Sequence, residues 1–278
     1  MRFTKMHGIG NDYIFVNAFE ERVDAPEQMA VALSDRHFGV GSDGLVLIAP
    51  SDCADFQMNM YNADGSRSEM CGNASRCIGK YVYEHGMTDK TVVTLETLAG
   101  IRTLYLETDG DRVQRVRVDM GAPVLDCARV PCLLGSGVVR SAPVEALGRT
   151  FAVTPVGMGN PHAVIVVDEA PDDESLRRYG AALERHPAFP RKANIEFIQI
   201  LARDRIRMRV WERGTGVTLA CGTGSCASLV AANLLGLSDR RATLVLDGGE
   251  LVNEWDERTG HVFMTGPATE VFSGTTDW

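Results

Sequence analysis

Hydrophobic and polar positions alternate in short runs along most of the chain, a pattern typical of β-strands. The clearest run is 205–210 (RIRMRV), in which every second residue is apolar, as in a strand with one buried face. Comparable runs, bounded by Gly, Asn, Asp or Pro, predict strands at 13–17, 44–48, 57–61, 91–95, 163–167, 195–200, 205–211 and 242–246. The pattern therefore predicts a protein in which sheet dominates.

Four segments show a helical period instead. After Cys71, one helix face is apolar and Gly86 supplies a stop. The apolar positions on that face are Ala74, Cys77, Ile78, Tyr81 and Val82. Residues 226–235 are apolar on nearly all sides, which predicts a central buried helix, and the amphipathic segments 26–37 and 175–186 predict two outer helices.

The same order of motifs occurs twice, at offsets of 149 or 150 residues. Cys71-Gly72-Asn73 corresponds to Cys221-Gly222-Thr223, and residues 8–11 correspond to residues 157–160. Residues 36–37, 58–62 and 95–100 match 185–186, 208–212 and 244–249. We therefore predict an α+β fold of two pseudo-twofold-related repeats, each a mixed β-sheet or barrel wrapped around a central helix. The predicted domains are 1–118 plus 263–278, whose final strand returns to the first repeat, and 119–262.

The amino-acid composition excludes some classes of binding partner. The 278 residues are 45% hydrophobic and 23% charged, as in a globular protein, and the net charge of −9 argues against nucleic acid and anionic membranes as partners. No apolar signal segment is visible near Met1, so we expect a cytoplasmic location. The uncharged stretch 214–238 is long enough to span a bilayer, but its first half is rich in Gly, Thr and Cys, which favours a buried loop and a core helix.

The seven cysteines are an odd number in a chain without an export signal, which favours free thiols over a disulfide framework. No C-x2-C spacing occurs, so no metal site is expected. We interpret five of them as packing residues: Cys53, Cys77, Cys127, Cys132 and Cys226.

Cys71 and Cys221 each precede a predicted helix, where unpaired N–H groups and the helix dipole favour a thiolate of lowered pKa. The same N–H groups can hold a carboxylate. One such thiolate could remove the Cα proton from one face of an amino acid while the other thiol delivers a proton to the opposite face. This is the chemistry of a two-base racemase that needs no cofactor. The Gly8-x-Gly10 segment lacks a preceding strand and a third glycine, so we interpret it as a turn and not as a nucleotide site.

At this point the motifs resemble those of the diaminopimelate epimerases, in order from residue 1 to about 267. The matching segments are 5–13 (KMHGIGNDY), 62–66 (NADGS), 70–73 (MCGN), 159–162 (GNPH), 212–214 (ERG) and 220–224 (ACGTG). The resemblance implies a cofactor-independent, PLP-independent isomerase that converts LL-2,6-diaminopimelate to the meso form in lysine and peptidoglycan-precursor synthesis, acting as a homodimer.

By that resemblance Cys71 and Cys221 are the catalytic pair, and His162 and Glu212 assist proton transfer. The substrate would be bound by the side chains of Asn11, Asn62, Asn160, Asn194, Glu212 and Arg213, and by the backbone of Gly72-Asn73 and Gly222-Thr223. The sequence departs from the family pattern at Ala74, Gly44, Val217 and Phe272.

Plainer interpretations stay open on sequence alone. Glu212 and Arg213 could form an exposed ion pair, the asparagines could be turn residues, and His162 could be structural. The function also has rivals: the same chemistry on proline or histidine, a thiol-based redox or metal-binding protein, or an inactive scaffold. Adjacent Glu212 and Arg213 favour a long zwitterionic substrate, because proline has no distal charges to bind.

Overall fold

The computed structural model describes residues Met1–Trp278 and divides the chain into two units. The first comprises Met1–Asp119 and Thr265–Trp278, and the second comprises Met120–Met264. Each unit is α+β, with a mixed sheet and two helices. None of the four helices has the length and apolar character needed to cross a bilayer.

The first unit places one helix after its second strand and one after its fifth. Its elements are β1 (Arg2–Gly8), β2 (Asn11–Asn17), α1 (Pro26–Ser34), β3 (Gly44–Ala49), β4 (Phe56–Asn62), β5 (Arg67–Ser68), α2 (Gly72–Glu84), β6 (Val92–Thr97), β7 (Gly100–Asp109), β8 (Arg112–Asp119) and the late strand β18 (Thr269–Thr275). The sheet runs β18-β1-β2-β3-β4-β6-β7-β8, with β2–β3 and β4–β6 parallel and the other pairs antiparallel. Strand β18 pairs antiparallel with β1, so the last strand of the chain lies in the sheet of the first unit.

The second unit repeats this topology. Its elements are β9 (Ala142–Ala146), β10 (Arg149–Gly157), β11 (Pro161–Val166), α3 (Asp173–Glu184), β12 (Asn194–Ala202), β13 (Arg205–Glu212), β14 (Gly216–Val217), α4 (Gly222–Leu234), β15 (Arg241–Leu246) and β16 (Gly249–Trp255); β17 (Val262–Gly266) crosses the boundary. The sheet runs β9-β10-β11-β12-β13-β15-β16, and β11–β12 and β13–β15 are its parallel pairs. The two copies of the sequence repeat therefore form sheets with the same order of parallel and antiparallel strand pairs.

Helices α2 and α4 are the buried helices of their units. In α2 the apolar residues predicted from the helical period, Ala74 to Val82, are at most 8% exposed and pack against strands β1, β7 and β8. Residues 224–232 of α4 are buried without a break, because strands of its unit contact it on several sides. Both predictions of a helix after a cysteine are confirmed.

Two predictions near the N-terminus need correction. Helix α1 ends at Ser34 rather than His37, because the Asp35 carboxylate accepts hydrogen bonds from the N–H groups of His37 and Phe38 and so stops the helix. Gly8-x-Gly10 does follow a strand, β1, and with Ile9 it forms the tight hairpin turn to β2, with positive φ at Ile9 and Gly10. Strand β1 is buried on both faces, so its sequence does not alternate.

The expectation that every cysteine is a free thiol is wrong for two of them. Cys127 and Cys132 form a disulfide, with Cα atoms 5.5 Å apart, and both lie in the core of the second unit. A turn at residues 126–130 brings the two residues together, which a count of cysteines cannot reveal. Of the other five, Cys77 and Cys226 are buried as expected, whereas Cys53 is exposed.

We predict that protein purified without reductant and then unfolded will alkylate at the five remaining cysteines, and at all seven only after reduction. Reduction should lower the free energy of unfolding by about 2 kcal/mol, because the disulfide closes a short loop of the unfolded chain. Intact mass and thermal unfolding measure the two effects. The C127S/C132S variant is the control and should not respond to reductant; alkylation of all seven cysteines without reduction would contradict the disulfide.

Candidate active site

Cys71 is the N-cap of α2. Its backbone is extended (φ −135°, ψ 119°), and its Sγ accepts a hydrogen bond from the N–H of Ala74 at 3.5 Å. Gly72 and Asn73 form the first turn, whose N–H groups have no acceptor within the helix. The sequence Cys-Gly-Asn-Ala thus places a thiol directly beside a group of backbone donors.

Around this thiol lie Asn11, Tyr13, Asn73 and Arg76, which with Cys71 we call the Cys71 cluster. Asn11 Oδ1 is 3.5 Å from Cys71 Sγ and accepts from Asn73 Nδ2 at 3.0 Å. Asn11 is oriented by Asp43, whose Oδ2 accepts from its Nδ2 at 2.7 Å. A carboxylate outside the cluster therefore determines which end of the Asn11 amide faces the thiol.

Arg76 brings a positive charge to the cluster. The side chain is fully buried on α2; its Nη2 donates to Asn73 Oδ1 at 2.9 Å and its Nε to Pro267 O at 3.1 Å. Loss of solvation raises the pKa of the Cys71 thiol, and the N–H groups of Ala74 and Asn73, the Tyr13 hydroxyl and the Arg76 charge offset this only in part. The predicted low thiol pKa is therefore wrong here, because desolvation outweighs the helix N-terminus.

Cys221 has the same position on α4. It is the N-cap, 4% exposed, and its Sγ accepts from the Gly224 N–H at 3.3 Å and lies 3.7 Å from Thr223 Oγ1. Gly222 and Thr223 begin the helix, as Gly72 and Asn73 do in α2. The predicted backbone cradle is thus formed at the start of both helices, while its use by a substrate stays a prediction.

The neighbours of Cys221 are Asn160, His162, Glu196 and Glu212, which with Cys221 we call the Cys221 cluster. His162 and Glu196 are completely buried, with Nδ1 2.6 Å from Glu196 Oε1. The other ring nitrogen, Nε2, is 2.8 Å from Asn160 Oδ1. Residues from β11, β12 and the turn before β11 thus form one hydrogen-bonded chain.

Glu212 ends β13, and its Oε1 accepts from the Thr218 hydroxyl. Burial raises its pKa, and the Glu196 charge adds to that effect. For Cys221, burial and then the charges of Glu212 and Glu196 raise the thiol pKa well above its ordinary value. The prediction of a low pKa for Cys221 is also wrong, because burial and the two nearby carboxylates outweigh the helix N-terminus.

Three predicted binding residues lie at the margins of the clusters. Arg213 is exposed and makes no ion pair with Glu212; its Nη1 donates to Arg191 O at 3.2 Å, which leaves other guanidinium donors free. Asn194 is buried, with Oδ1 accepting from the Arg213 N–H at 2.7 Å and Nδ2 donating to Pro161 O at 3.3 Å. Asn62 Nδ2 donates to Ser66 Oγ at 3.0 Å, outside the Cys71 cluster. Asn194 therefore holds the strand end that presents Arg213.

The two clusters occupy equivalent backbone positions in their units, but their side chains carry different charges. The strand pairs match: Ile14 lies opposite Leu45 in the first unit, and the residues 149 and 150 positions later, Ala163 and Ile195, lie opposite each other in the second. On this alignment the corresponding residues are Tyr13 and His162, Val46 and Glu196, Asn62 and Glu212, and Arg76 and Cys226. One thiol therefore has a buried cation beside it, and the other has two carboxylates.

Sequence reasoning did not identify Glu196, Arg76 or Tyr13 as part of either cluster, nor Asp43 as the residue that orients Asn11. Signals for two of them were present, since Glu196 interrupts the apolar run 195–198 and Arg76 adjoins the apolar face of α2. A single charge in an apolar segment indicates a buried partner, but not which residue that partner is. No group of three or more His, Cys, Asp or Glu side chains is placed to hold a metal ion.

Comparison with known families and relatives shows which proteins this chain is similar to. The family model for diaminopimelate epimerase matches residues 3–125 and 154–271. The diaminopimelate epimerase of Acetivibrio thermocellus is 55% identical over 277 residues, covering 100% of this chain and 99% of the relative. The diaminopimelate epimerase of Methanococcus maripaludis is 50% identical over 277 residues, and the alignment covers 100% of this chain and 100% of the relative.

Solved structures share the fold at low sequence identity. A probable proline racemase from Agrobacterium radiobacter, solved with bound carbonate, has a TM-score of 0.70 at 17% identity, covering 99% of this chain and 92% of that one. A hydroxyproline epimerase from Agrobacterium vitis, solved with bound trans-4-hydroxy-L-proline, has a TM-score of 0.70 at 16% identity, with 99% and 90% covered. At this identity the likeness establishes the two-repeat α+β fold alone.

We predict that Glu212→Gln lowers the pKa of the Cys221 thiol, because removing a nearby negative charge stabilises the thiolate. Only the thiolate is alkylated, so Cys221 should react faster at neutral pH in the variant. Iodoacetamide labelling followed by peptide mass spectrometry measures each cysteine separately. Cys71, which lacks a neighbouring carboxylate in its cluster, should keep its rate; so should Cys221 in the exposed-site control Glu250→Gln. A slower reaction at Cys221 in Glu212→Gln would contradict the electrostatic account.

Proposed function

The chain belongs to the diaminopimelate epimerase family, and on that premise we propose that it interconverts LL- and meso-2,6-diaminopimelate by moving one Cα proton between two thiols. The observation that carries the proposal is the repeated N-cap cysteine. Cys71 and Cys221 each cap a buried helix beside unpaired backbone N–H groups. Epimerisation needs one base and one acid of the same kind, and the repeat supplies both.

The chemistry balances with one thiolate and one thiol. The thiolate takes the proton from Cα, and the bonding pair left behind spreads onto the α-carboxylate. The opposite thiol then protonates Cα from the other face and becomes the new thiolate. The reaction reverses by exchanging the two roles, so no net proton or electron is gained or lost.

The raised thiol pKa values suit this step. A Cα proton is a very weak acid, and a desolvated thiolate is a stronger base than one in water. The N–H groups of Gly72-Asn73 and Gly222-Thr223 would stabilise the charge that develops on the carboxylate. His162, Glu212 and the asparagines would adjust and hold the reacting groups, in keeping with the roles implied by the family resemblance.

The distal end of the substrate explains the choice of diaminopimelate over proline or histidine. Arg213 is exposed with unused donors and can bind a distal carboxylate in a bidentate way. Asn62, Asn160 and Glu212 offer oxygen acceptors for ammonium groups. A small cyclic amino acid would leave these groups unused.

The wider setting is part of the same proposal. The substrate is a small amino acid, and the product serves lysine and peptidoglycan-precursor synthesis. The reaction uses no pyridoxal phosphate or other cofactor, since thiols and backbone N–H groups suffice for it. We place the enzyme in the cytoplasm, which keeps catalytic thiols reduced. A homodimer is proposed from the family resemblance, and Phe272 of β18 is 47% exposed, as a residue at a subunit contact would be in the isolated chain.

Solvent exchange tests the substrate and the chemistry together. Reduced protein in D2O, supplied with LL-diaminopimelate, should lose the substrate α-proton signal in proton NMR and form the meso isomer on chiral chromatography. Proline, histidine, glutamate and lysine should not exchange. Exchange with proline or histidine instead would keep the two-thiol chemistry but refute the substrate, and no exchange with any of them would refute the function.

Replacing either thiol tests the two-base mechanism. We expect Cys71→Ser and Cys221→Ser each to lower kcat for LL-diaminopimelate by about 10²- to 10⁴-fold, because a serine hydroxyl is a far weaker acid and base at the same place. Cys53→Ser, an exposed thiol outside both clusters, is the matched control and should retain full activity. Normal turnover by either catalytic variant would rule out a mechanism that needs both thiols.

A further inference from the structure

Glu196 is a carboxylate in an otherwise apolar strand. Its neighbours Ile195, Phe197 and Ile198 are at most 2% exposed, and Glu196 itself is fully buried. An ionised carboxylate in such a place is strongly destabilising unless a partner compensates its charge. A residue with this cost needs an explanation beyond packing.

The compensation comes from a single contact. Glu196 Oε1 lies 2.6 Å from His162 Nδ1, whereas Glu196 Oε2 is buried without a hydrogen-bond partner. An isolated neutral hydrogen bond on one oxygen would leave the carboxylate charge uncompensated. A charged imidazolium would compensate it directly.

The second ring nitrogen supports the charged form. His162 Nε2 lies 2.8 Å from Asn160 Oδ1, an amide oxygen that can only accept. A carboxylate oxygen at Nδ1 and an amide oxygen at Nε2 are the two acceptors that a doubly protonated ring requires. An imidazolium in this place would form a buried ion pair with Glu196.

The pair is next to the reacting thiol. A Cβ atom built on Gly224 would be 2.8 Å from Glu196 Oε1 and 3.1 Å from Cys221 Sγ. The Glu196 carboxylate and the Cys221 thiol therefore both lie beside Gly224, at the start of α4. Only glycine fits there, so no side chain separates them.

The first unit shows that the fold does not need this pair. The position equivalent to Glu196 is Val46, fully buried in β3, and the position equivalent to His162 is Tyr13. The same strand pairing is thus built with an apolar side chain and a phenol. The ion pair is an addition at the Cys221 cluster, not a requirement of the sheet.

We propose that Glu196 is a positioning residue of the Cys221 cluster: it holds His162 as an imidazolium in one orientation, and through Nε2–H it fixes the orientation of the Asn160 amide. Because Asn160 is a predicted substrate ligand, this part of the inference rests on the proposed function. The imidazolium offsets the charge of Glu196, so that the pair is neutral overall. A thiolate formed at Cys221 then has a cation in its cluster as well as the carboxylate of Glu212.

The charge on His162 can be read without any substrate. In protein labelled with 15N-histidine, the ring nitrogens of an imidazolium have 15N shifts distinct from those of either neutral tautomer. The chain has six histidines, and the His162 signals are those missing from His162→Gln. We expect both nitrogens of His162 to be protonated at neutral pH in the native protein, and the ring to be neutral in Glu196→Gln.

Glu196→Val repeats the test with the side chain that the first unit carries at this position, in case Glu196→Gln does not fold. Glu84→Gln is the matched control, since Glu84 is a largely buried glutamate of α2 bonded to Lys80 and the Val113 N–H. It should leave the His162 signals and kcat unchanged, even if it lowers Tm. A neutral His162 in the native protein, or unchanged His162 signals in both Glu196 variants, would overturn the inference.

Turnover provides the second readout. With LL-diaminopimelate, Glu196→Gln should lower kcat by about 10- to 100-fold, the size of the loss when the carboxylate that orients a metal-bound histidine is removed, with a smaller change in KM. An unchanged kcat would overturn the positioning role. Native protein that does not turn over LL-diaminopimelate would refute the proposed function instead, and the 15N comparison would still decide the state of His162.

Discussion

The constraint on which the rest of the site depends is the loss of solvation at two cysteine thiols, of which Cys221 is buried and Cys71 is partly buried. Each thiol is the N-cap of a buried helix, where desolvation raises its pKa more than the backbone N–H groups lower it. A desolvated thiolate is a strong base, but it needs local compensation. The surrounding side chains differ between the two clusters because they supply that compensation in different ways.

The duplicated fold distinguishes the features that form the fold from the side chains that determine the chemistry of each thiol. Both units share strand order, parallel and antiparallel pairs, and a helix that begins at the cysteine. They differ at the few positions around each thiol, where a buried Arg76 in one corresponds to Cys226 in the other, and Val46 corresponds to Glu196. Each unit therefore serves as a control for the other, because a residue present in only one of them is not needed to form the fold.

Where sequence prediction failed, a contact distant in sequence or an effect of burial decided the outcome. Helix α1 ended early through a side-chain bond from Asp35, and β1 was missed because both of its faces are buried. The helix N-termini were identified correctly, but the thiol pKa is raised and not lowered. The local sequence indicates the N–H groups of the helix start, whereas the depth of burial depends on the tertiary structure. The alternative that Glu212 and Arg213 form an ion pair is not what the structure shows, since Glu212 accepts from Thr218 and Arg213 donates to Arg191 O.

The sequence by itself determined the α+β class, the duplication, the helices after Cys71 and Cys221, and the family, because periodicity and spaced motifs are local and repeat along the chain. Only the tertiary structure decided which charges meet each thiol. Glu196 is 34 residues from His162 and 25 from Cys221, and their contact depends on the pairing of β11 with β12 and on the start of α4. Electrostatic energy depends on distance and burial in three dimensions, and neither is encoded in the spacing of residues along the chain.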